Sequence, residues 1–128
     1  MLRRPAITLF VLFVASLLLA GCQSAVPPGT GVRGIVLLGP TCPVESATSP
    51  CPDRPFEGDV RATASDGSTT EASTDAQGRF TIDLHAGTYV VVAIVPNGGG
   101  PPAAVPRTVQ VRTGSYSQVT LEVDTGIR

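Results

Sequence analysis

The chain contains no lysine and no tryptophan, and it has one histidine and three cysteines among its 128 residues. Without a lysine amine, neither Schiff-base chemistry nor a P-loop phosphate site can form. A formal net charge of −1 leaves no basic stripe of the kind that nucleic-acid binding requires. So little histidine and cysteine provides scant material for a catalytic or metal centre. We therefore expect a protein that is not an enzyme, uses no cofactor or metal, and has no nucleic-acid partner.

Glycine and proline, in contrast, are abundant, with 14 and 12 residues respectively. Together they exceed the share of about 12% that is usual in globular proteins. Hydrophobic residues make up 42% of the chain and charged residues 15%. The length fits one small domain and is too short for most enzyme folds that alternate long strands and helices.

The N-terminal segment has the pattern of an export signal. Arg3 and Arg4 precede an apolar run over residues 6–19 in which only Thr8 and Ser16 are polar. A membrane-spanning helix needs about 20 apolar residues, and this run is shorter. A positively charged start followed by a short apolar run is typical of a secretory signal peptide.

The apolar run ends in Leu19-Ala20-Gly21-Cys22, which resembles the lipobox of bacterial lipoproteins. The resemblance implies that residues 1–21 are cleaved off and that the Cys22 thiol receives a diacylglyceryl group. Two or three acyl chains, palmitate among them, would then anchor the protein stably to a membrane. The expected location is the cell membrane or the outer membrane, on the extracytoplasmic side. The alternatives are an ordinary signal peptide with a chance cysteine, and an uncleaved anchor.

The remaining chain divides into a linker, a domain and a tail. Residues 22–31 are rich in proline, glycine and serine and have no periodicity, which indicates a short linker. Residues 32–124 are the predicted domain, and residues 125–128 are a short tail. The linker spans roughly 25–30 Å at most, at about 3.1 Å per extended residue, so the domain is expected close to the membrane.

Two further cysteines, Cys42 and Cys51, lie within a proline-rich insert over residues 39–56. In an exported chain they have one possible pairing, so we predict a disulfide. Two free thiols or a metal pair are the alternatives, although a lone cysteine pair makes a poor zinc site. Five prolines exclude a helix or a central strand from the insert. We expect an ordered, disulfide-stapled loop, and it is the first candidate for a contact surface.

Short runs rich in β-forming residues alternate with turn signals throughout the domain, and no segment has a helical period. Phe80, Ile82 and Leu84 alternate with Arg79, Thr81 and Asp83, which is the period of a half-buried strand. The pattern predicts an all-β fold, a seven-stranded antiparallel β-sandwich. The third run is almost entirely polar and indicates an edge strand. The seven runs are 32–38, 59–64, 69–74, 79–84, 88–95, 106–112 and 117–123.

Residues 74–89 follow the pattern T-D-x-x-G-x-F-x-I-x-L-x-x-G-x-Y. This pattern resembles the signature of carboxypeptidase-regulatory-like domains, and residues 31–36 are similar to the first strand of that family. The resemblance implies a prealbumin-like (transthyretin-like) β-sandwich of about seven strands, related to the repeats of collagen adhesins. It also implies an accessory role, because most members of the family are accessory modules.

Three polar groupings invite a chemical interpretation. Asp83 and His85 stand two residues apart, but no motif ties a serine or cysteine nucleophile to them, so we interpret His85 as a turn residue. Asp66 and Asp75 lack the ligand spacing of a calcium loop, and we expect each to hold its own turn. The glycine-rich residues 97–100 include no lysine and begin no helix, which indicates a flexible loop tip.

The fifth predicted strand is apolar on both faces. If Tyr89, Val91, Ala93 and Val95 join the core, three apolar side chains face outward. We expect the stapled insert or another loop to cover them, and the alternative is an exposed contact patch for a partner. The candidate patch consists of Val90, Val92 and Ile94.

The sequence thus predicts an exported, lipid-anchored lipoprotein that acts as a non-enzymatic structural or protein-binding module at the cell surface. Its expected partners are the membrane, through the lipid on Cys22, and an envelope protein or glycan. The alternative function is that of a small-ligand or glycan-binding β-sandwich. That function would use the insert at 39–56 and the loop at 96–105.

Overall fold

The computed structural model describes residues 25–43, 48, 51–96 and 100–127. Several predictions lie outside these residues. They are the signal peptide at 1–21, the lipidation site Cys22, the first part of the linker, the middle of the insert and the tip of the 96–105 loop.

The described residues form nine β-strands and no helix. Their bounds are β1 (Gly31–Gly39), β2 (Arg54–Pro55), β3 (Asp59–Ala64), β4 (Thr69–Ser73), β5 (Arg79–Asp83), β6 (Gly87–Ile94), β7 (Ala103–Val105), β8 (Arg107–Val111) and β9 (Tyr116–Asp124).

The first sheet contains five strands, with β1 inside it. One side of β1 pairs in parallel with β9, from Gly31 opposite Tyr116 to Gly39 opposite Asp124. Its other side pairs antiparallel with β5 over residues 31–35 and then with the short β2. β7 pairs with the far side of β9. The second sheet has four antiparallel strands in the order β4-β3-β6-β8.

The two sheets bury one hydrophobic core between them, which is the arrangement of a β-sandwich. Alternation along the strands sends every second side chain inward, and both sheets contribute to the same cluster. Of the residues with described positions, Thr30 is the one polar residue that is fully buried beside it. The buried hydrophobic residues are Val32, Val36, Val60, Ala62, Phe80, Ile82, Leu84, Tyr89, Val91, Ala93, Val109, Val111, Leu121 and Val123.

The predicted all-β fold is confirmed, and each of the seven predicted strands is present. The count of seven is wrong, because β2 and β7 lie in segments that were expected to be loops. These strands have two and three residues, too few to produce a readable alternation. Pro55 is tolerated in β2 because that strand lies at the edge of the sheet. The purely antiparallel arrangement is also wrong, since β1 and β9 run parallel.

The segment between β4 and β5 holds the two sheets together at one end of the sandwich. The Thr74 hydroxyl donates to the Phe56 carbonyl at 2.9 Å and accepts the Gly58 N–H at 2.9 Å. Four residues later, the Gly78 carbonyl accepts the Val36 N–H at 2.8 Å. These bonds tie the start of β3 and the middle of β1 to the same turn.

Within the described residues, no helix has the length and apolar character needed to cross a membrane.

Candidate functional site

One end of the sandwich, which we name the base, is where the chain enters the domain. Thr30 is fully buried there, and its Oγ1 accepts the Gly114 N–H at 2.8 Å. The Thr30 carbonyl accepts the Leu84 N–H at 3.0 Å. These bonds fix the end of the linker between the loops at 84–86 and 112–115.

The opposite end, which we name the distal rim, contains parts of both segments that the sequence analysis predicts for binding, the insert at 39–56 and the loop at 96–105. The Thr125 N–H donates to the Gly39 carbonyl at 3.1 Å, and the Thr125 hydroxyl donates to the Pro40 carbonyl at 2.6 Å. β7 lies against the other side of β9. The insert and the segment around β7 therefore flank the end of β9, one on each side. The distal rim comprises residues 39–43, 51–53, 100–105 and 124–126.

The predicted disulfide between Cys42 and Cys51 is present, with Cα atoms 6.0 Å apart. The Thr41 hydroxyl lies 2.8 Å from Cys51 Sγ and donates to the Pro52 carbonyl at 3.2 Å. The two arms of the insert are thus joined covalently and by hydrogen bonds. From there the chain continues directly into β2, which pairs with the end of β1.

A groove of about 350 Å³ opens on the outer face of the first sheet at the distal rim. Its lining mixes apolar side chains with carboxylates. Arg107 forms a long, exposed ion pair with one of them, Glu122, at 3.6 Å, and such a pair contributes little to stability. The lining includes Leu37, Val105, Asp53, Glu122 and Asp124.

The candidate contact patch lies on the outer face of the second sheet. Val90 is 43% exposed, whereas Val92 and Ile94 are half-buried. Their cross-strand neighbours are polar, with Arg61 opposite Val92 and Asp59 opposite Ile94. The described part of the insert does not cover the patch as expected, because the insert follows β1 into the other sheet.

Asp83 and His85 are not brought together as a catalytic pair would be. The Asp83 carboxylate accepts the Tyr116 hydroxyl at 2.6 Å. The His85 carbonyl accepts the Tyr89 hydroxyl at 2.8 Å, so His85 contributes its backbone to the base.

Asp66 and Asp75 hold turns, as expected. Asp66 Oδ1 accepts the backbone N–H and the hydroxyl of Ser68 at 2.9 and 2.7 Å, and these bonds lower the pKa of the Asp66 carboxyl. Asp75 Oδ1 accepts the backbone N–H groups of Gln77 and Arg79, both at 2.9 Å. Among the described residues, no group of three or more histidine, cysteine, aspartate or glutamate side chains is placed to hold a metal ion.

Sequence reasoning missed a cluster that spans three strands of the first sheet. Tyr116 on β9 reaches across β1 to Asp83 on β5, and Gly31 between them has no side chain. The Arg33 guanidinium lies 4.4 Å from the centroid of the Tyr116 ring. Nothing in the sequence signals this cluster, because these residues become neighbours only through the pairing of β1 with β5 and β9.

The Asp83 carboxylate should make Tyr116 hard to ionise. The hydrogen bond to Asp83 raises the pKa of Tyr116 above its ordinary value, because the neutral phenol is the donor. The bond therefore stabilises the fold below about pH 10, and this contribution is lost as pH rises through the raised pKa. We expect Asp83→Asn to lower the pKa of Tyr116, measured as phenolate absorbance during an alkaline titration.

Tyr89 provides the control for this titration, since the chain has two tyrosines. Burial raises the pKa of Tyr89, and Asp83→Asn leaves that burial intact. One tyrosine should therefore shift while the other does not. A titration curve that is the same with and without the Asp83 carboxylate would contradict the assignment.

Comparison with protein-family models finds no match to this chain, and comparison with curated proteins finds none either.

Proposed function

We propose that this protein is an exported lipoprotein, held by a lipid on Cys22, whose domain is a non-enzymatic binding module of the carboxypeptidase-regulatory-like, prealbumin-like type. Its contact surface is the distal rim, and its partner is another protein of the cell envelope. The observation that carries the proposal is the convergence of the insert and the segment around β7 at the end of β9, remote from the base.

The position of the base supports a membrane-anchored arrangement. The linker joins the domain at the buried Thr30, only eight residues after Cys22. β1 runs from the base to the distal rim over nine residues, roughly 30 Å at about 3.3 Å per residue. A lipid on Cys22 would therefore tether the domain at its base. The distal rim would then be the end of the domain farther from the membrane.

The pattern over residues 74–89 supports a module of the carboxypeptidase-regulatory-like type, because its residues have structural roles in this fold. Thr74 and Gly78 tie three strands together, Phe80 is buried in the core, and the Tyr89 hydroxyl bonds the loop at the base. The carboxylates that invited a chemical interpretation are engaged in turns or with Tyr116. This use of the polar residues favours a binding role over catalysis.

The anchor is tested by Cys22→Ala. We expect the variant to leave the membrane fraction and to appear as a soluble or unprocessed form, because the thiol that would carry the lipid is gone. Fractionation and intact-mass measurement report the result. Wild-type protein that enters detergent without any added lipid mass would contradict the proposal.

The distal rim is tested by site-specific photo-crosslinking in cells. A photoreactive side chain at Val105, which is 36% exposed, should give one discrete adduct with an envelope protein. The same group at Thr113, exposed at the base, is the matched control and should give none. Replacing both Cys42 and Cys51 with serine should reduce the Val105 adduct. Equal adducts from both positions would overturn the assignment of the rim.

The second candidate function, small-ligand or glycan binding, is favoured by the groove of about 350 Å³ at the distal rim. Pro40 and Asp53 of the insert line it together with Val105 of the 96–105 segment. A glycan array probed with the purified protein separates this function from protein binding.

A further inference from the structure

A second, larger groove of about 930 Å³ lies open on the outer face of the first sheet and shares no lining residue with the groove at the distal rim. Outward side chains of β5, β1 and β9 form its floor, and residues 73–75 form a wall beside it. The side chains of the floor are Arg33, Ile35, Arg79, Thr81, Gln118 and Thr120.

Two arginines stand close together on this floor. Arg33 is paired with Thr81 across β1 and β5, and Arg79 is paired with Ile35, so the arginines are diagonal neighbours on one face. Diagonal neighbours in an antiparallel pair are about 7–8 Å apart at the backbone, within joint reach of two long side chains. Both residues are exposed.

Neither guanidinium has a carboxylate partner among the residues that the structure describes, whereas Arg61 and Arg107 are each paired with a glutamate. Arg33 is instead held over the Tyr116 ring. The carboxylate of Asp75, which lines the groove, already accepts two backbone N–H groups. Two adjacent guanidinium groups that form no ion pair with a described carboxylate favour an anionic ligand.

The rest of the floor indicates which anion fits. The hydroxyls of Thr81 and Thr120 and the amide of Gln118 are exposed, and each of these groups can both donate and accept a hydrogen bond. Ile35 is the one half-buried apolar side chain among the six. Such a surface matches a ligand that carries many hydroxyls, and it offers little to the apolar side chains of a peptide.

We propose that this groove binds an acidic polysaccharide. Arg33 and Arg79 pair with carboxylates of nearby sugar residues, and the threonine and glutamine side chains bond the sugar hydroxyls. The site lies between the base and the distal rim, and it rests neither on the lipid anchor nor on the protein contact proposed above.

Titration calorimetry of the purified protein with an oligogalacturonate provides the test. We expect binding that Arg33→Gln and Arg79→Gln each weaken about tenfold or more, which is the loss typical of one charge-assisted hydrogen bond. The fully methyl-esterified oligomer should bind the wild-type protein at least about tenfold more weakly than the oligogalacturonate does, because its carboxyl groups carry no charge. Arg112→Gln, at an exposed arginine outside the groove, should leave the affinity unchanged.

Four results would overturn the proposal. They are no binding of the oligogalacturonate, equal binding of its methyl ester, an equal loss with Arg112→Gln, and tighter binding of a poly-aspartate peptide. The last would assign the groove to an acidic protein segment. Thermal unfolding of each variant shows whether it is folded. If Arg33→Gln unfolds because its contact with Tyr116 is lost, Arg79→Gln decides the question alone.

Discussion

Phe80→Ala is expected to destabilise the domain by about 3–5 kcal/mol, the usual cost of removing a buried phenylalanine. The side chain is 3% exposed and lies on β5, opposite Gly34 of β1. Since Gly34 has no side chain, no neighbour at that position can move in to fill the space. A domain of this size has about 5–15 kcal/mol in total, so this loss is a large part of its stability. Equilibrium denaturation in urea measures the change.

Thr81→Ala is the matched control, one residue further along the same strand. Thr81 faces outward and is exposed, so its replacement should cost less than about 1 kcal/mol. The difference between the two variants tests the direction of every side chain on β5. Equal losses would contradict the assignment of Phe80 to the core face of β5 and of Thr81 to its outer face.

Gly78→Ala should cost about 2–5 kcal/mol through two separate effects. Gly78 has φ +75°, a left-handed conformation that costs a residue with a Cβ about 1–2 kcal/mol. A Cβ at this position would also lie 2.5 Å from the Val36 carbonyl oxygen. Relief of that contact requires the turn to move away from β1, and overpacking of this kind costs about 1–3 kcal/mol. Thermal or urea unfolding measures the sum.

Gly67→Ala separates the two effects. Gly67 has φ +88°, but apart from its two neighbours in the chain no residue has an atom within 4 Å of the position of its Cβ. Its replacement should therefore cost only the conformational part, about 1–2 kcal/mol. If both alanine variants lost the same amount of stability, the close approach of Gly78 to β1 would add nothing to the cost of the Gly78 substitution.

The sequence predicts the elements of this fold better than their arrangement. Alternation identifies β5 and β9 because one face of each is buried, and burial leaves a period of two in the residue types. Alternation does not show which strands pair with each other. A strand that pairs with β9 has the same residue pattern as a strand that pairs with any other. The parallel pairing of β1 with β9 was missed for that reason.

The same distinction between local features and their spatial arrangement applies to the candidate sites. The Cys42–Cys51 disulfide was predictable because the predicted domain contains two cysteines, which allow one pairing. The placement of the insert and of the segment around β7 on the two sides of the end of β9 was not predictable, since Thr125, which bonds the insert, lay in the predicted tail. The Arg33–Tyr116–Asp83 cluster was missed because its members are far apart in sequence and carry no motif.

The pairing of β1 with β9 also affects the order in which the domain can fold. Of the strands that the structure describes, β1 is the first and β9 is the last, and they pair along all nine residues of β1. Contacts between such distant segments form slowly, because a long loop must close first. During synthesis, β1 therefore lacks its longest partner until β9 has emerged from the ribosome. A chain that is still incomplete cannot form this pairing, so the first sheet is completed only after β9 has been synthesised.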